Sequence, residues 1–417
     1  MSRIREYLES HKEEMFSFLA ELIAIRSVQN EPNGQFPFGK KPAKALEKML
    51  NKCSEYGFIT ENIDWYAGSA DFDSTEPVLG ILSHLDVVPE GNGWESNPFV
   101  MKRKDGKLIG RGTSDDKGPA VASLFAMRAI KELDIPLKKG VRLIFGTNEE
   151  NGSADLIYYR QKRNLPPMVF TPDGEYPVIN GEKGMLRVYF SAEYNGACVN
   201  GGEVINAVPQ SCSVGDGERC ATLYSGKSAH ASTPEKGDNA ITQCLSVEGR
   251  ENKLFGGLAR LFPHGEWDGK SIFGDISGIT CVLSLLNTMK DRLCGGIDIR
   301  FPIDRTKSEI GGIICEKLRE VGFEIDSCDG SEPHYTDENS EFVQSLLRVY
   351  EKVTGEKGYC ITIGGGTYVH DIDGGVAFGS TFPHEECNIH GCDEFITEEN
   401  LLKNVEIMAE TIIKICG

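Results

Sequence analysis

The sequence has few basic residues for its length and no long hydrophobic run. Its 417 residues include 44 Lys and Arg against 63 Asp and Glu, a formal net charge of −19 at pH 7. This excess of acid argues against nucleic acid or an anionic membrane as the main partner, because both attract basic surfaces. No segment approaches the roughly 20 apolar residues that a membrane-spanning helix needs. The composition therefore indicates a soluble enzyme, in which acidic residues around cations would account for part of the negative charge.

The cysteines lack the spacing of a zinc ribbon or a disulfide framework. There are 13 of them, an odd number, and no two form a C-x-x-C pair. Scattered reduced thiols are typical of a cytosolic protein. Residues 1–14 are charged throughout and contain no apolar signal core. From these observations we expect a cytoplasmic location.

Strand-like and helix-like patterns alternate along the first part of the chain. Residues 77–82, 141–145 and 168–170 are apolar runs typical of buried strands, and the alanine-rich residues 119–133 are typical of a helix. This alternation predicts an α/β fold with a mostly parallel sheet flanked by helices. The length also predicts two or more domains.

The pattern changes at Gly184, after which strands and helices come in pairs. One of the strand-like segments is 221–225. We therefore predict a smaller α+β lid domain at residues 184–333. The α/β pattern resumes afterwards, so we expect the lid to be inserted into a catalytic domain formed by residues 1–183 and 334–417.

Residues 110–118 read Gly-Arg-Gly-Thr-Ser-Asp-Asp-Lys-Gly and precede the predicted helix. Gly110 and Gly112 permit a sharp turn before the two carboxylates. Asp115 is the candidate for a carboxylate shared by two metals. Taken alone, the stretch is more typical of a surface turn in which Asp115 or Asp116 caps the helix.

Polar and acidic residues follow each predicted parallel strand. They are His84 and Asp86, then Glu149 and Glu150, and then Asp173. Each alone is also typical of a turn, a helix cap or a solvated loop. Ligand sites of α/β sheets lie beyond the carboxyl ends of the strands, however, so these side chains should converge.

His390 lies in a late loop rich in glycine and proline, and it completes a set of two histidines and several carboxylates. This mixture suits Zn²⁺, Mn²⁺ or Co²⁺ better than Ca²⁺, which prefers oxygen ligands only. Two metals about 3.5–4 Å apart that share one carboxylate are a known hydrolytic arrangement.

Short motifs lie in one order over nearly the whole chain. They occupy residues 83–89, 110–118, 146–152, 171–177, 180–184, 226–232, 364–368 and the segment around His390. Together they resemble the dinuclear metallopeptidase family that includes PepV-type dipeptidases, carnosinase, aminoacylases and glutamate carboxypeptidases. Residues 175–184 and 364–368 are most similar to the PepV type. The resemblance implies a zinc-exopeptidase-like catalytic domain with an inserted lid.

The resemblance also implies a ligand set for two divalent metal ions per chain, with Zn²⁺ favoured and Mn²⁺ or Co²⁺ as alternatives. Asp115 would bridge the two ions. His84 and Asp173 would complete one site, and Glu150 and His390 would complete the other.

Further roles follow from the same resemblance. Asp86 would orient His84. Glu149 would be the general base that takes a proton from a water bridging the two metals and passes it to the leaving amine.

In the lid, the resemblance implies that His230 hydrogen-bonds the developing oxyanion and that Arg300 binds the C-terminal carboxylate of the substrate. Asn206 would assist at the same surface, and Gly365 would let the backbone approach the substrate. Only 23 residues separate Asn206 from His230. This is short for a PepV-type lid, so both a monomer and a homodimer that supplies His230 across chains stay open.

The leading hypothesis is a metal-dependent dipeptidase that acts on short peptides with a free C-terminal carboxylate, with neither nucleic acid nor membrane as a partner. The alternative is an amidohydrolase that removes an acyl group from an N-acyl amino acid. A non-catalytic metal-binding homologue is disfavoured, because all five proposed ligands and Glu149 are present.

Overall fold

The structure, a computed structural model, describes residues 3–215, 222–250 and 252–417. The chain divides into two compact units. The first comprises Met1–Asn180, Thr336–Ile361 and Thr367–Gly417, and the second comprises Gly181–Tyr335 and Thr362–Gly366. Each unit has its own buried apolar core, as expected of a domain.

The described residues form helices in both units. In chain order they are α1 (Arg3–Ile23), α2 (Lys40–Glu55), α3 (Lys117–Glu132), α4 (Ala154–Lys162), α5 (Ala240–Glu248), α6 (Lys253–Leu261), α7 (Lys270–Phe273), α8 (Lys307–Glu320), α9 (Glu341–Thr354) and α10 (Glu398–Cys416).

The strands are also distributed over both units. In chain order they are β1 (Ile59–Ile63), β2 (Ala67–Asp71), β3 (Pro77–His84), β4 (Lys102–Lys104), β5 (Lys107–Ile109), β6 (Gly140–Gly146), β7 (Met168–Thr171), β8 (Val178–Glu182), β9 (Gly184–Glu193), β10 (Cys198–Gly201), β11 (Ser211–Gly215), β12 (Thr222–Ser225), β13 (Thr280–Met289), β14 (Arg292–Phe301), β15 (Glu324–Ser331), β16 (His334–Tyr335), β17 (Cys360–Ile363), β18 (Val376–Ala377) and β19 (Phe395–Thr397).

The central sheet of the first unit has the strand order β1-β2-β6-β3-β7-β18-β8. Its four middle strands, from β6 to β18, are parallel, whereas β1, β2 and β8 pair antiparallel at the two sides. The middle strands are nearly continuous apolar runs, which is typical of parallel strands covered on both faces. The predicted α/β class with a mostly parallel sheet is confirmed.

Helix α3 packs against α1 and α10 and is buried over most of its length. It begins at Lys117, two residues before the predicted start, directly after Asp115 and Asp116. Pro119 still lies in the first turn, where its missing N–H group breaks no helical hydrogen bond. The acidic pair is thus fixed at the beginning of a core helix.

The second unit is built on a seven-stranded sheet with the order β12-β11-β10-β13-β14-β9-β15. All its pairings are antiparallel. Along β9, buried residues alternate with more exposed ones, so one face of the sheet meets the core formed with α5, α6 and α8. The strand predicted at 221–225 is present from Thr222 onwards, and residue 221 lies outside the described residues.

Truncating a side chain in the core of α3 should cost much of the stability of the first unit. Phe125 is fully buried, and its ring packs edge-on against Tyr56 at 5.9 Å between centroids. Phe125→Ala should lower the free energy of unfolding by about 3–5 kcal/mol, measured by urea denaturation. Val100→Ala, at a side chain that is 62% exposed, should change it by less than about 0.5 kcal/mol. Equal effects of the two substitutions would contradict the packing described for α3.

Candidate metal centre and active site

Strand β3 brings three acidic segments together at one edge of the sheet. It lies between β6 and β7, and its last residue, His84, pairs with Gly146 at the end of β6. On the other side, Ile81 of β3 pairs with Phe170 of β7. Since these strands are parallel, the segments that follow them start from the same edge. This register explains why residues far apart in sequence meet around His84.

Asp115 presents its two carboxylate oxygens to two different histidines. Oδ1 lies 2.9 Å from Nε2 of His84, and Oδ2 lies 2.9 Å from Nε2 of His390. A carboxylate that divides its oxygens in this way has the geometry of a ligand shared by two cations.

The other predicted ligands complete the cluster. Oδ2 of Asp173 lies 3.6 Å from Nε2 of His84, and Oε2 of Glu150 lies 3.2 Å from Nε2 of His390. The ligand atoms of His84, Glu149 and Asp173 all lie within 4.8 Å of one another, as do those of His84, Asp115 and Glu150. The five side chains predicted to bind metal, and Glu149 beside them, therefore lie together.

The electrostatics of the cluster fit divalent cations. Burial raises the pKa of Glu149, Glu150 and Asp173, and the neighbouring carboxylate of Asp115 raises each of them further. Hydrogen bonds to Asp115 and Glu150 raise the pKa of His390 to about 11. The carboxylates of the cluster thus outnumber its positive charges, an excess that a divalent cation would relieve. With imidazole and carboxylate donors, the residues present fit Zn²⁺, Mn²⁺ or Co²⁺.

Two groups of this cluster show how strongly the charges interact. Burial lowers the pKa of His84, but its hydrogen bonds with Asp115 and Asp173 outweigh burial and place the pKa well above its usual range. Burial raises the pKa of Asp115, but the imidazoles of His390 and His84 outweigh it and hold the pKa well below its usual range. Asp115 is therefore the carboxylate of the cluster that stays ionised.

Asp86 contacts His84 and also the segment that carries the two glutamates. Nδ1 of His84 lies 3.0 Å from the backbone oxygen of Asp86 and 3.5 Å from its carboxylate. The carboxylate of Asp86 accepts hydrogen bonds from the backbone N–H groups of Glu149 and Glu150, both at 3.2 Å. Asp86 thus holds the short 3₁₀ turn Glu149–Asn151, a contact that the sequence did not predict.

Asp155 is a buried acid that the sequence analysis missed. Its Oδ2 accepts hydrogen bonds from the backbone N–H groups of Thr147 and Asn148, at 2.5 and 2.7 Å, and from the hydroxyl of Tyr368 at 2.5 Å. The Tyr368 ring in turn lies edge-on to His84, at 6.1 Å between centroids. An acid at the start of α4, just after the Glu-Glu pair, is the sequence signal that would have indicated it.

The remaining predicted site residues belong to the second unit. His230 is exposed, and its Nδ1 lies 2.7 Å from the hydroxyl of Ser232. The N–H group of Ala231 donates to the backbone oxygen of Asn206 at 2.9 Å, so the segments of Asn206 and His230 are adjacent. The Gly365 position is open, with nothing within 4 Å of a Cβ placed there.

Arg300 belongs to the same part of the second unit. Its Nη1 donates to the backbone oxygen of Gly364 at 3.2 Å. Its Nε and Nη2 donate to the two carboxylate oxygens of Asp298, at 2.7 and 3.2 Å. The partnership with Asp298 was not predicted, although residues two apart on a strand share a face.

The fold and the cluster define the class of protein, an α/β protein that gathers two histidines and several carboxylates at the edge of its sheet. The chain belongs to the peptidase family M20/M25/M40, whose family model matches residues 80–414. It is a peptide-bond hydrolase, and the family resemblance of the sequence motifs is confirmed. A Beta-Ala-Xaa dipeptidase of Lactobacillus delbrueckii subsp. lactis is 32% identical over 472 aligned positions, which cover 99% of this chain and 98% of the relative.

Solved structures share the fold at lower identity. Human carnosine dipeptidase 1 superposes with a TM-score of 0.66 at 16% identity, covering 99% of this chain and 98% of that one. A Bacillus subtilis structure described as a dinuclear metal-binding peptidase from the M20 family gives a TM-score of 0.60 at 12% identity, covering 97% and 98%. Within residues 3–215, 222–250 and 252–417, no helix combines the length and apolar character needed to cross a membrane.

Binding of metal at neutral pH should release protons from the cluster. The pKa of His390 is raised to about 11, so this imidazole carries a proton at pH 7, and the pKa of His84 is raised as well, whereas only a neutral imidazole ligates a metal. Calorimetric titration with Zn²⁺ in buffers of different ionisation enthalpy should show release of at least one proton, from His390, and of more where His84 and the carboxyl groups with raised pKa also lose protons. His390→Gln should reduce the release by about one proton, and His264→Gln in the second unit should leave it unchanged. Heats that do not depend on the buffer would show this description of the cluster to be wrong.

Proposed function

We propose that this chain is a dipeptidase that uses two divalent cations to hydrolyse short peptides with a free C-terminal carboxylate. The observation that carries the proposal is Asp115, which directs one carboxylate oxygen at His84 and the other at His390. The similarity to a Beta-Ala-Xaa dipeptidase over nearly the full length of both chains supports the same substrate class. We also propose a cytoplasmic location, supported by the cysteines of the described residues, which are all free thiols.

Two cation positions follow from the cluster. The first cation position is defined by His84 and Asp173 together with Asp115. The second cation position is defined by Glu150 and His390 together with Asp115. When bound, such cations supply Lewis-acid polarisation of the peptide carbonyl and lower the pKa of water toward neutrality.

Glu149 is the proposed proton carrier. Its carboxylate lies within 4.8 Å of the ligand atoms of His84 and Asp173, and the resemblance assigns it to proton transfer rather than to metal binding. Burial and the charges of Asp173 and Asp115 raise its pKa, so the carboxyl group has the proton affinity that a general base needs. Glu149 would take the proton from the attacking water and deliver it to the nitrogen that leaves.

Arg300 is the proposed anchor for the carboxylate of the substrate. Asp298 and Gly364 together use three of the five N–H groups of the guanidinium. Among the contacts of residues 3–215, 222–250 and 252–417, this leaves one N–H group on each terminal nitrogen that could donate to a carboxylate. Asp298 would fix the plane of this fork. We further propose His230, oriented by the Ser232 hydroxyl, as the donor to the developing oxyanion.

A substrate panel tests the function. Purified protein loaded with Zn²⁺, Mn²⁺ or Co²⁺ should hydrolyse dipeptides such as β-Ala-His, Ala-His and Leu-Gly. N-acetyl amino acids should react far more slowly, because they carry an acetyl group in place of the N-terminal amino acid of a dipeptide. Hydrolysis of N-acetyl amino acids alone would establish the amidohydrolase in its place.

Glu149→Gln should separate catalysis from metal binding. If Glu149 carries protons and the five other residues bind the metals, kcat should fall by about 10²–10⁴-fold while the metal content stays near that of the unaltered protein. The measurement is steady-state hydrolysis of Ala-His together with metal analysis of the same samples. A parallel loss of metal and activity would assign Glu149 to the ligands.

Arg300→Met should lower kcat/KM selectively for peptides that have a free C-terminal carboxylate. Loss of a charge-assisted hydrogen bond of 1.5–3 kcal/mol corresponds to a fall in kcat/KM of roughly 10–150-fold for a free dipeptide, with little change for its C-terminal amide. Arg187→Met is a matched control, because Arg187 also faces Asp298, at 3.7 Å, and should have little effect. An unaltered enzyme that cleaves amidated and free dipeptides equally well would exclude the anchor.

A further inference from the structure

A buried carboxylate outside the proposed ligand set ties together two ligand-bearing segments. Glu394 is fully buried and lies four residues after His390. Its side chain accepts hydrogen bonds from the backbone N–H groups of Gly112, Ser114 and Asp115, at 2.9 to 3.2 Å. The segment that carries the shared carboxylate is thus held by a residue of the segment that carries His390.

Arg111 completes this connection. It is 1% exposed, and its Nη1 donates to Oε2 of Glu394 at 2.7 Å. Its Nη2 donates to the backbone oxygen of Gly391 at 3.0 Å, directly after His390. A charged pair this deeply buried is costly to break, since loss of one partner leaves the other charge unpaired. The pair therefore fixes the spacing between the two segments.

The segment of His390 depends on such external support. Asn388, His390 and Asp393 have φ values of 53°, 61° and 52°, in the left-handed region that residues other than glycine rarely adopt. Such conformations persist where surrounding contacts hold them. The side chain of His390 is also 54% exposed, whereas His84 is fully buried at the end of β3. A strand therefore holds one histidine, and side-chain contacts must hold the other.

We propose that Glu394 and Arg111 are a positioning pair that sets the affinity of the second cation position. The pair holds the backbone of Asp115 and the residue after His390 at the spacing that a cation shared by these two side chains requires. The first cation position depends less on the pair, because His84 is fully buried at the end of strand β3, where it pairs with Gly146 and its N–H group donates to Asp116 at 2.9 Å. The inference rests on the two-cation centre proposed above.

Glu394→Gln tests the pair in the full-length protein. The amide keeps one acceptor oxygen but places an NH₂ group where Arg111 or the backbone N–H groups need an acceptor. Metal-free protein is dialysed against buffered Zn²⁺ or Mn²⁺ series, and the bound equivalents are counted by mass spectrometry. The second equivalent should bind about 10–100-fold more weakly than in the unaltered protein, and the first, which also uses Asp115, should weaken less. The hydrolytic kcat measured at limiting metal should fall and recover in excess metal, with KM nearly constant.

Asp71→Asn is the matched control. Asp71 of β2 forms a two-oxygen ion pair with Arg142 of β6, at 2.6 and 2.8 Å, and holds no ligand-bearing segment. The same acid-to-amide change there should lower the midpoint of thermal unfolding without altering either metal affinity. If Glu394→Gln does not fold, Arg111→Lys supplies the test, because it keeps the charge opposite Glu394 and loses the contact with Gly391.

The outcomes separate this inference from the proposed function. Suppose that the unaltered protein binds two equivalents of metal and that a folded Glu394→Gln variant binds both with unchanged affinity. This result would overturn the positioning pair but not the proposed function. An equal weakening by Asp71→Asn would overturn it as well, by showing that metal affinity follows general stability. Unaltered protein that never binds a second equivalent would overturn the two-cation centre and the positioning pair together.

Discussion

Asp115 contacts two imidazoles at 2.9 Å, one through each carboxylate oxygen, and the first unit is arranged around this shared contact. Glu149, Glu150 and Asp173 add further acid within a few ångströms, so negative charge exceeds what His84 and His390 can balance. In a partly buried site such an excess is unfavourable unless protons or cations compensate it. The raised pKa values of Glu149 and His390 reflect this excess. The same excess makes the cluster suited to divalent cations.

Six acids in and around the cluster divide into two sets by what they contact. Asp115, Glu150 and Asp173 face the imidazoles. Asp86, Asp155 and Glu394 instead accept hydrogen bonds from backbone N–H groups of the segments that carry those ligands. The second set holds these segments in place, since each carboxylate accepts hydrogen bonds from two or more peptide groups at once. Residues that hold the loops are as necessary to a metal site as the ligands themselves.

The sequence predicted which side chains gather in the cluster better than it predicted the residues that hold their segments. His84, Glu150 and Asp173 follow buried strands, and the rule that parallel strands deliver their loops to one edge is general. Asp155 and Glu394 bind backbone N–H groups, which every segment has, so their partners leave no mark in the sequence. The sequence did not predict strand β2 either, because its small residues show no alternation of apolar and polar side chains. Its backbone lies so close to α2 that a Cβ at Gly68 would be 2.8 Å from the Leu50 side chain.

The two histidines illustrate two ways to place a ligand. His84 is the last residue of a central strand, where it pairs with Gly146, and its N–H group donates to Asp116 at 2.9 Å. His390 lies in an irregular segment with left-handed residues, and its position depends on the buried Arg111–Glu394 pair and on strand β19 just beyond it, which pairs with β5. Strand β5 in turn leads into the segment of Asp115. The late histidine and the shared carboxylate are therefore parts of one local structure, although more than 270 residues separate them in the sequence.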